Sequence, residues 1–189
     1  VMLHAVSVGA TNALRELVPL LAEQAHVVVT ASTDTGIARA RELFGGVCTV
    51  ARYPLDASWA VRRFLDRVEP DVVGLVELEI WPNFVRECFG RAIPVAVING
   101  RLSERSFKGY RRIARWVSPS FAALSAAAVQ DEDYAERFVA MGVPRERVHV
   151  TGSMKFDTAK IADEVAGANR LAQELGIDLD RPLIVAGST

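Results

Sequence analysis

Residues 71 to 83 read Asp71-Val72-Val73-Gly74-Leu75-Val76-Glu77-Leu78-Glu79-Ile80-Trp81-Pro82-Asn83. The apolar run up to Val76 has the composition of a strand covered on both faces, and Pro82 suits the first turn of a helix, where a missing N–H costs nothing. Two carboxylates fall between them. In open α/β sheets the ligand crevice lies outside the carboxyl ends of the strands, so acidic groups there face substrate or solvent. Strand, acidic turn, helix is the reading.

Working outward, short runs rich in Val, Ile or Ala predict strands at residues 2–8, 26–31, 47–51, 72–76, 94–98, 126–129 and 148–150. Helical patterns separate them, at 12–23, 36–44, 58–68, 81–90 and 133–141. Asp131 or Asp133 can cap the last of these and Gly142 can end it. This alternation predicts an α/β fold, a mostly parallel sheet with right-handed crossovers and helices on both faces. Residues 158–175 read as a long helix and 176–182 as a turn-rich link, while Leu183 onward restarts an apolar strand. The chain begins inside one predicted strand and stops just after another, so both ends are expected to be cut.

The 189 residues carry 22 basic and 23 acidic side chains, a net charge of −1, with 50% hydrophobic and 24% charged residues. That balance excludes disorder and a general nucleic-acid binder, and any basic surface must be local. Cys48 and Cys88 lie in no Cys-x-x-Cys pair, which speaks against a zinc site or a disulfide framework. His4, His26 and His149 lack metal-ligand spacing and are taken as structural. No apolar stretch approaches the roughly 20 residues a membrane-spanning helix needs, so a soluble chain is expected.

Three further segments carry candidate chemistry. Ser7-Val8-Gly9-Ala10 forms a tight strand-to-helix turn whose amides can hold an anion, Gly9 being free to take an unusual backbone angle. It is neither a dinucleotide fingerprint nor a P-loop, and a plain βα connection explains it equally well. Ser32-Thr33-Asp34-Thr35-Gly36 strings hydroxyls and a carboxylate between strand and helix. Capping by Asp34 or Thr35 competes there with a role in holding a polar ligand. Arg101, Arg105, Lys108, Arg111, Arg112 and Arg115 are opposed within their segment only by Glu104. Phe107, Tyr110, Ile113 and Val117 recur among them at helical spacing, so one face can be buried and the other cationic. A solvated face and a surface for phosphates or anionic lipid headgroups both fit. No Gly-x-Ser-x-Gly elbow surrounds Ser7 or Ser188.

Taken together, Ser7-Val8-Gly9, the Glu77 to Asn83 segment, Asn99-Gly100-Arg101-Leu102-Ser103-Glu104-Arg105-Ser106 and Thr151-Gly152-Ser153-Met154-Lys155-Phe156-Asp157 resemble the Kdo transferases of lipopolysaccharide synthesis. The resemblance implies a GT-B fold, two Rossmann-like domains facing a cleft, with residues 1–176 as the acceptor-side domain. Residues 177–189 would be the link and first strand of a donor-side domain. It implies an inverting, metal-independent transfer of Kdo from CMP-Kdo to a lipid A precursor, with no cofactor. The parent protein would work at the cytoplasmic face of the bacterial inner membrane, against an anionic surface.

The family has a glutamate, understood as the general base, at the position held here by Ala10. A methyl group cannot take a proton, so the chain as it stands is expected to be impaired, by replacement of the base and by the missing donor domain. Glu79 matches the family carboxylate of the acidic motif. Glu77 would point the opposite way if the strand continued that far, and Asn83 would serve structure. Ser7, Gly9, Thr35, Arg101 and Arg105 fall to the acceptor. Lys155, Gly187, Ser188 and Thr189 fall to the donor. Two other readings remain: a glycolipid-binding module without catalysis, and another GT-B enzyme such as a nucleotide-sugar epimerase.

Overall fold

The computed structural model describes residues 1–157 and 167–178. Internal contacts divide the chain into Val1–Thr158 and Ala159–Thr189. In the second unit a helix spans Ala168–Glu174, α9 in chain order. The predicted strand at 183–189 lies outside the described residues.

The first unit is a seven-stranded parallel sheet in the order β3-β2-β1-β4-β5-β6-β7. Its strands are β1 (Met2–His4), β2 (Val28–Ala31), β3 (Thr49–Arg52), β4 (Val73–Val76), β5 (Val95–Gly100), β6 (Ala126–Val129) and β7 (Val148–Val150). The chain builds outward from β1 to β3, then returns to place β4 on the other side of β1, with Met2 opposite Val73 and His4 opposite Leu75. The strand order therefore reverses between β1 and β4. The turns leaving those two strands open the crevice where such sheets bind ligands.

Side chains alternate across the pleat, and two apolar clusters follow. Met2, Val73, Leu75, Val95 and Val97 meet α4 (Ser58–Val68), α5 (Pro82–Gly90), α7 (Ala114–Ala122) and α8 (Glu132–Met141) on one face. Leu3, Ala5, Val29 and Val76 meet α1 (Val8–Ala13), α2 (Leu17–Ala22) and α3 (Asp34–Phe44) on the other. Gly74 leaves room for the Leu3 side chain from β1, since a Cβ there would come within 2.8 Å of Leu3 Cδ2.

Within Val1–Thr158 the expected elements are present with three revisions, and most of the helix predicted over 158–175 lies outside the described residues. The strand predicted over 2–8 stops at His4, because Ser7 turns the chain into α1. The helix predicted over 12–23 is two short ones, α1 and α2. A continuous helix would drive the Pro19 ring against the carbonyl of Arg15. The cationic segment is likewise broken, α6 (Glu104–Arg112) giving way at Ile113 to α7. The break swings Ile113 to 49% exposure, off the face that Val117 buries.

His4 is wholly buried, its ring stacked on Tyr53 at 3.7 Å between centroids. Nδ1 lies 3.2 Å from the Thr30 carbonyl and Nε2 3.5 Å from Ser32 Oγ, so the neutral tautomer with Nδ1–H donating fits both. Burial lowers its pKa to about 4. The unfolded chain thus takes up this proton first, and stability is lost as pH falls from about 6.5 to about 4, by roughly 3 kcal/mol. Urea titrations across that window are expected to show this slope in the wild type and a flatter one in His4→Phe.

Candidate functional site

At the end of β1, Ser7 caps α1, its Oγ accepting from Ala10 N at 3.4 Å while Thr11 Oγ1 donates to the Ser7 carbonyl at 2.9 Å. Ser7, Val8 and Gly9 are exposed. Gly9 is an ordinary helical residue, so its expected unusual backbone angle is not used. A Cβ there would meet only Ser7 Oγ, 3.9 Å away. Ala10 is 4% exposed, with its methyl group in the apolar cluster of Leu3, Leu14 and Val76.

The second turn is tied to the first. Thr33, rather than Asp34 or Thr35, caps α3: its Oγ1 accepts from Gly36 N and donates to the Val6 carbonyl, both at 3.0 Å. A residue in extended conformation ahead of the helix can reach back to that amide, whereas Asp34 and Thr35 are already helical. Asp34 pairs with Arg52 instead. Thr35 is exposed, with its hydroxyl on Thr33 Oγ1 at 3.4 Å. Gly36 is required by closeness: a Cβ there would stand 2.9 Å from the Val6 carbonyl oxygen.

Beside β1, the strand β4 ends at Val76, and Glu77 takes a left-handed φ of 64°. The pleat is broken there, so alternation does not set the direction of Glu79, contrary to the strand-based argument. The two carboxylates nevertheless have different partners. Glu77 Oε1 faces Lys155 Nζ at 3.8 Å, and Glu79 Oε2 accepts from the Trp81 indole at 3.0 Å. Burial raises the Glu79 pKa above its ordinary value, the indole N–H opposes that, and the charge of Glu77 adds to it. Tyr110 on α6 lies within reach of the same field, its hydroxyl raised by burial and then by Glu79.

At the end of β5, Asn99 has a φ of 53° and is 1% exposed. Its Oδ1 accepts from Met154 N and from Gln130 Nε2, each at 3.1 Å. The Met154 amide can only donate, which fixes the side chain's orientation and leaves Nδ2 buried without a partner. Asn99 thus anchors the loop that carries Lys155, joining two of the sequence motifs. Arg101 and Arg105 are exposed beyond it, Arg105 within α6. Gly187, Ser188 and Thr189 lie outside the described residues.

Sequence reasoning missed Asp56. It leaves α4, the helix that follows it, without a side-chain cap and accepts from Asn83 N at 3.1 Å and Phe84 N at 2.8 Å, in α5. Nothing in the local sequence shows that choice. It also missed a cavity of about 550 Å³ at the ends of β2, β3 and β4, walled by Arg52, Tyr53, Leu55, Trp59 and Trp81. Among the described residues no group of three or more His, Cys, Asp or Glu side chains could hold a metal ion.

The fold and this crevice define a Rossmann-like α/β domain of the kind that forms half of a GT-B protein. UDP-GlcNAc 2-epimerase from Neisseria meningitidis shares that fold at 13% identity and a TM-score of 0.60, over 93% of this chain and 51% of that one. Anabaena HepE in complex with UDP does so at 15% identity and a TM-score of 0.66, over 93% and 49%. The family model for 3-deoxy-D-manno-octulosonic-acid transferase (kdotransferase) matches residues 1–158, and the chain belongs to that family. The 3-deoxy-D-manno-octulosonic acid transferase of Haemophilus influenzae is 30% identical over the whole chain, and that of Bordetella pertussis 32%. The chain spans 44% of the length of each of these two relatives.

Proposed function

We propose that this chain is the acceptor-side part of a glycosyltransferase that moves Kdo from CMP-Kdo to a lipid A precursor, by an inverting displacement without a metal ion. The observation that carries the reading is the pairing of β1 with β4 in a chain of this family, which sets the Ser7 to Ala10 turn beside the acidic turn of Glu77 and Glu79. Residues 1–176 form the acceptor-side domain in this reading, and residues 177–189 begin the donor side. Ser7, Gly9, Thr35, Arg101 and Arg105 surround the acceptor, and Lys155 with Gly187, Ser188 and Thr189 serves the donor. Glu79, desolvated and held by Trp81, supports a base at position 10. Ala10 supplies none, so the transfer is slow in this protein as it stands.

The acceptor's hydrocarbon calls for a membrane surface, and α5 to α7 offer one. Phe89, Ile113 and Trp116 are 69%, 49% and 79% exposed among Arg86, Arg111, Arg112 and Arg115. Phe89, Trp116, Arg86 and Arg115 line one groove of about 600 Å³ against α5, the helix that starts at the acidic turn. A cationic face carrying exposed aromatic and aliphatic side chains fits the cytoplasmic leaflet of a bacterial inner membrane. Among the described residues no helix is long and apolar enough to cross a membrane. The same patch supports a second reading, in which the domain binds anionic glycolipid without catalysis.

The test is CMP release from CMP-Kdo by the two-domain protein with lipid A precursor on vesicles, with and without a chelator. Release is expected in the Ala10→Glu variant, unchanged by chelator, and lowered roughly tenfold or more when Glu79→Gln is added. Absence of release from Ala10→Glu, with acceptor vesicles still bound, would favour the binding module.

A further inference from the structure

The first turn of α5 is unusual in its hydrogen bonding. Its flanking residue Trp81 makes no side-chain cap, and Pro82 has no N–H to satisfy. The two free amides that follow, of Asn83 and Phe84, both end on the Asp56 carboxylate, at 3.1 and 2.8 Å, from the loop between β3 and α4. These are the positions a helix's own cap ordinarily serves. Asn83 returns the contact, its Nδ2 donating to the Asp56 carbonyl at 2.6 Å. Asp56 thereby ties the start of α5 to the loop that follows β3. Trp81 stands two residues before the first of those amides, with the rigid Pro82 between them, and its indole N–H donates to Glu79 Oε2 at 3.0 Å.

We propose that Asp56 is a positioning residue for Glu79: by capping α5 from the neighbouring loop, it holds Trp81 where the indole N–H meets the Glu79 carboxylate. The functional importance of this chain of contacts rests on the reading that Glu79 works in the acidic turn. Glu79 is also faced by Glu77 from the end of β4, Tyr53 from the end of β3 and Tyr110 from α6. The Tyr53 hydroxyl is buried without a hydrogen-bond partner, so Trp81 is the donor that fixes the carboxylate among these neighbours. Losing the indole donor removes an interaction with the charged form, and Glu79 then titrates at higher pH.

The experiment is a carboxylate carbon NMR titration of Glu79, with exchange of the Trp81 indole N–H followed in parallel, on the full chain without substrate. Asp56→Ala is expected to move the Glu79 midpoint to higher pH, in the same direction as Trp81→Phe. It should also speed exchange of the Trp81 indole proton by roughly five- to tenfold, the scale of a lost helix cap. Asp56→Asn, whose single amide oxygen can replace one of the two bonds, should fall between, and it decides the matter if Asp56→Ala does not fold. A folded Asp56 variant with Glu79 titration and indole exchange both at their wild-type values would overturn the proposal, as would a Trp81→Phe variant that leaves Glu79 unmoved. Because no sugar donor or acceptor enters the measurement, this result stands apart from the CMP-release assay: either can fail while the other holds.

Discussion

Placing glutamate at position 10 of the two-domain protein is expected to raise CMP release by on the order of 10²–10⁴, the range a positioned general base contributes. Ala10, whose Cβ would carry the rest of that side chain, is 4% exposed in the apolar cluster of Leu3, Leu14 and Val76. Only the side chain's length can bring the carboxylate out past Ser7 and Gly9 to the crevice. Two consequences follow from that burial. Desolvation lifts the new carboxyl's pKa, which suits a base that must be neutral after taking a proton and ionised before it. A group whose folded pKa is raised also costs stability above its unfolded pKa, so Ala10→Glu should be destabilised relative to the Ala10 protein more near neutral pH than at pH 4. Measuring release and urea stability on the same variant separates the two: a stability loss without a gain in rate would remove position 10 from the mechanism.

Replacing Arg111, Arg112 and Arg115 together by serine is expected to weaken binding to anionic vesicles about a hundredfold. Each cation near a negatively charged leaflet contributes about 1 kcal/mol, and three of them about two decades in affinity. Among the described residues none of these three arginines is in an ion pair, whereas Lys108 is held by Glu104 at 2.6 Å. Lys108→Ser should therefore change binding far less than Arg112→Ser alone, a contrast that the equal loss of one charge does not produce. Salt should weaken the wild type most, since exposed charges are screened over about 8 Å at physiological ionic strength. Trp116→Ser, which removes a side chain 79% exposed, tests the apolar share of the contact. Equal loss from the lysine and arginine variants would point to general charge attraction and not to this face.

The fold was legible because its strands are short apolar runs separated by amphipathic helices, and burial on both faces leaves a parallel strand little choice of residue. Asp131 and Gly142 were readable as the ends of α8 for a similar reason: capping depends on residues adjacent in sequence. Where elements break was less legible. A single helix was expected over 12–23 although Pro19 lay within it, and nothing so plain as a proline marks the break at Ile113. In the site, the acidic turn and the Ser7 turn were visible as motifs. Their bonds were not, because Thr33 reaches back to Val6, Asp56 to Asn83 and Phe84, and Asn99 to Met154, all across long sequence separations.

The sequence by itself determined the α/β class, the approximate positions of its elements, the acidic strand end and the family, because hydrophobic periodicity and local motifs are written in neighbouring residues. Only the tertiary structure decided that β4 lies against β1, that Glu77 leaves the pleat and pairs with Lys155, and that Glu79 is held by Trp81. The physical reason is that strand order and cross-loop capping depend on which distant backbone groups would otherwise be buried unpaired, a condition no single stretch of sequence contains.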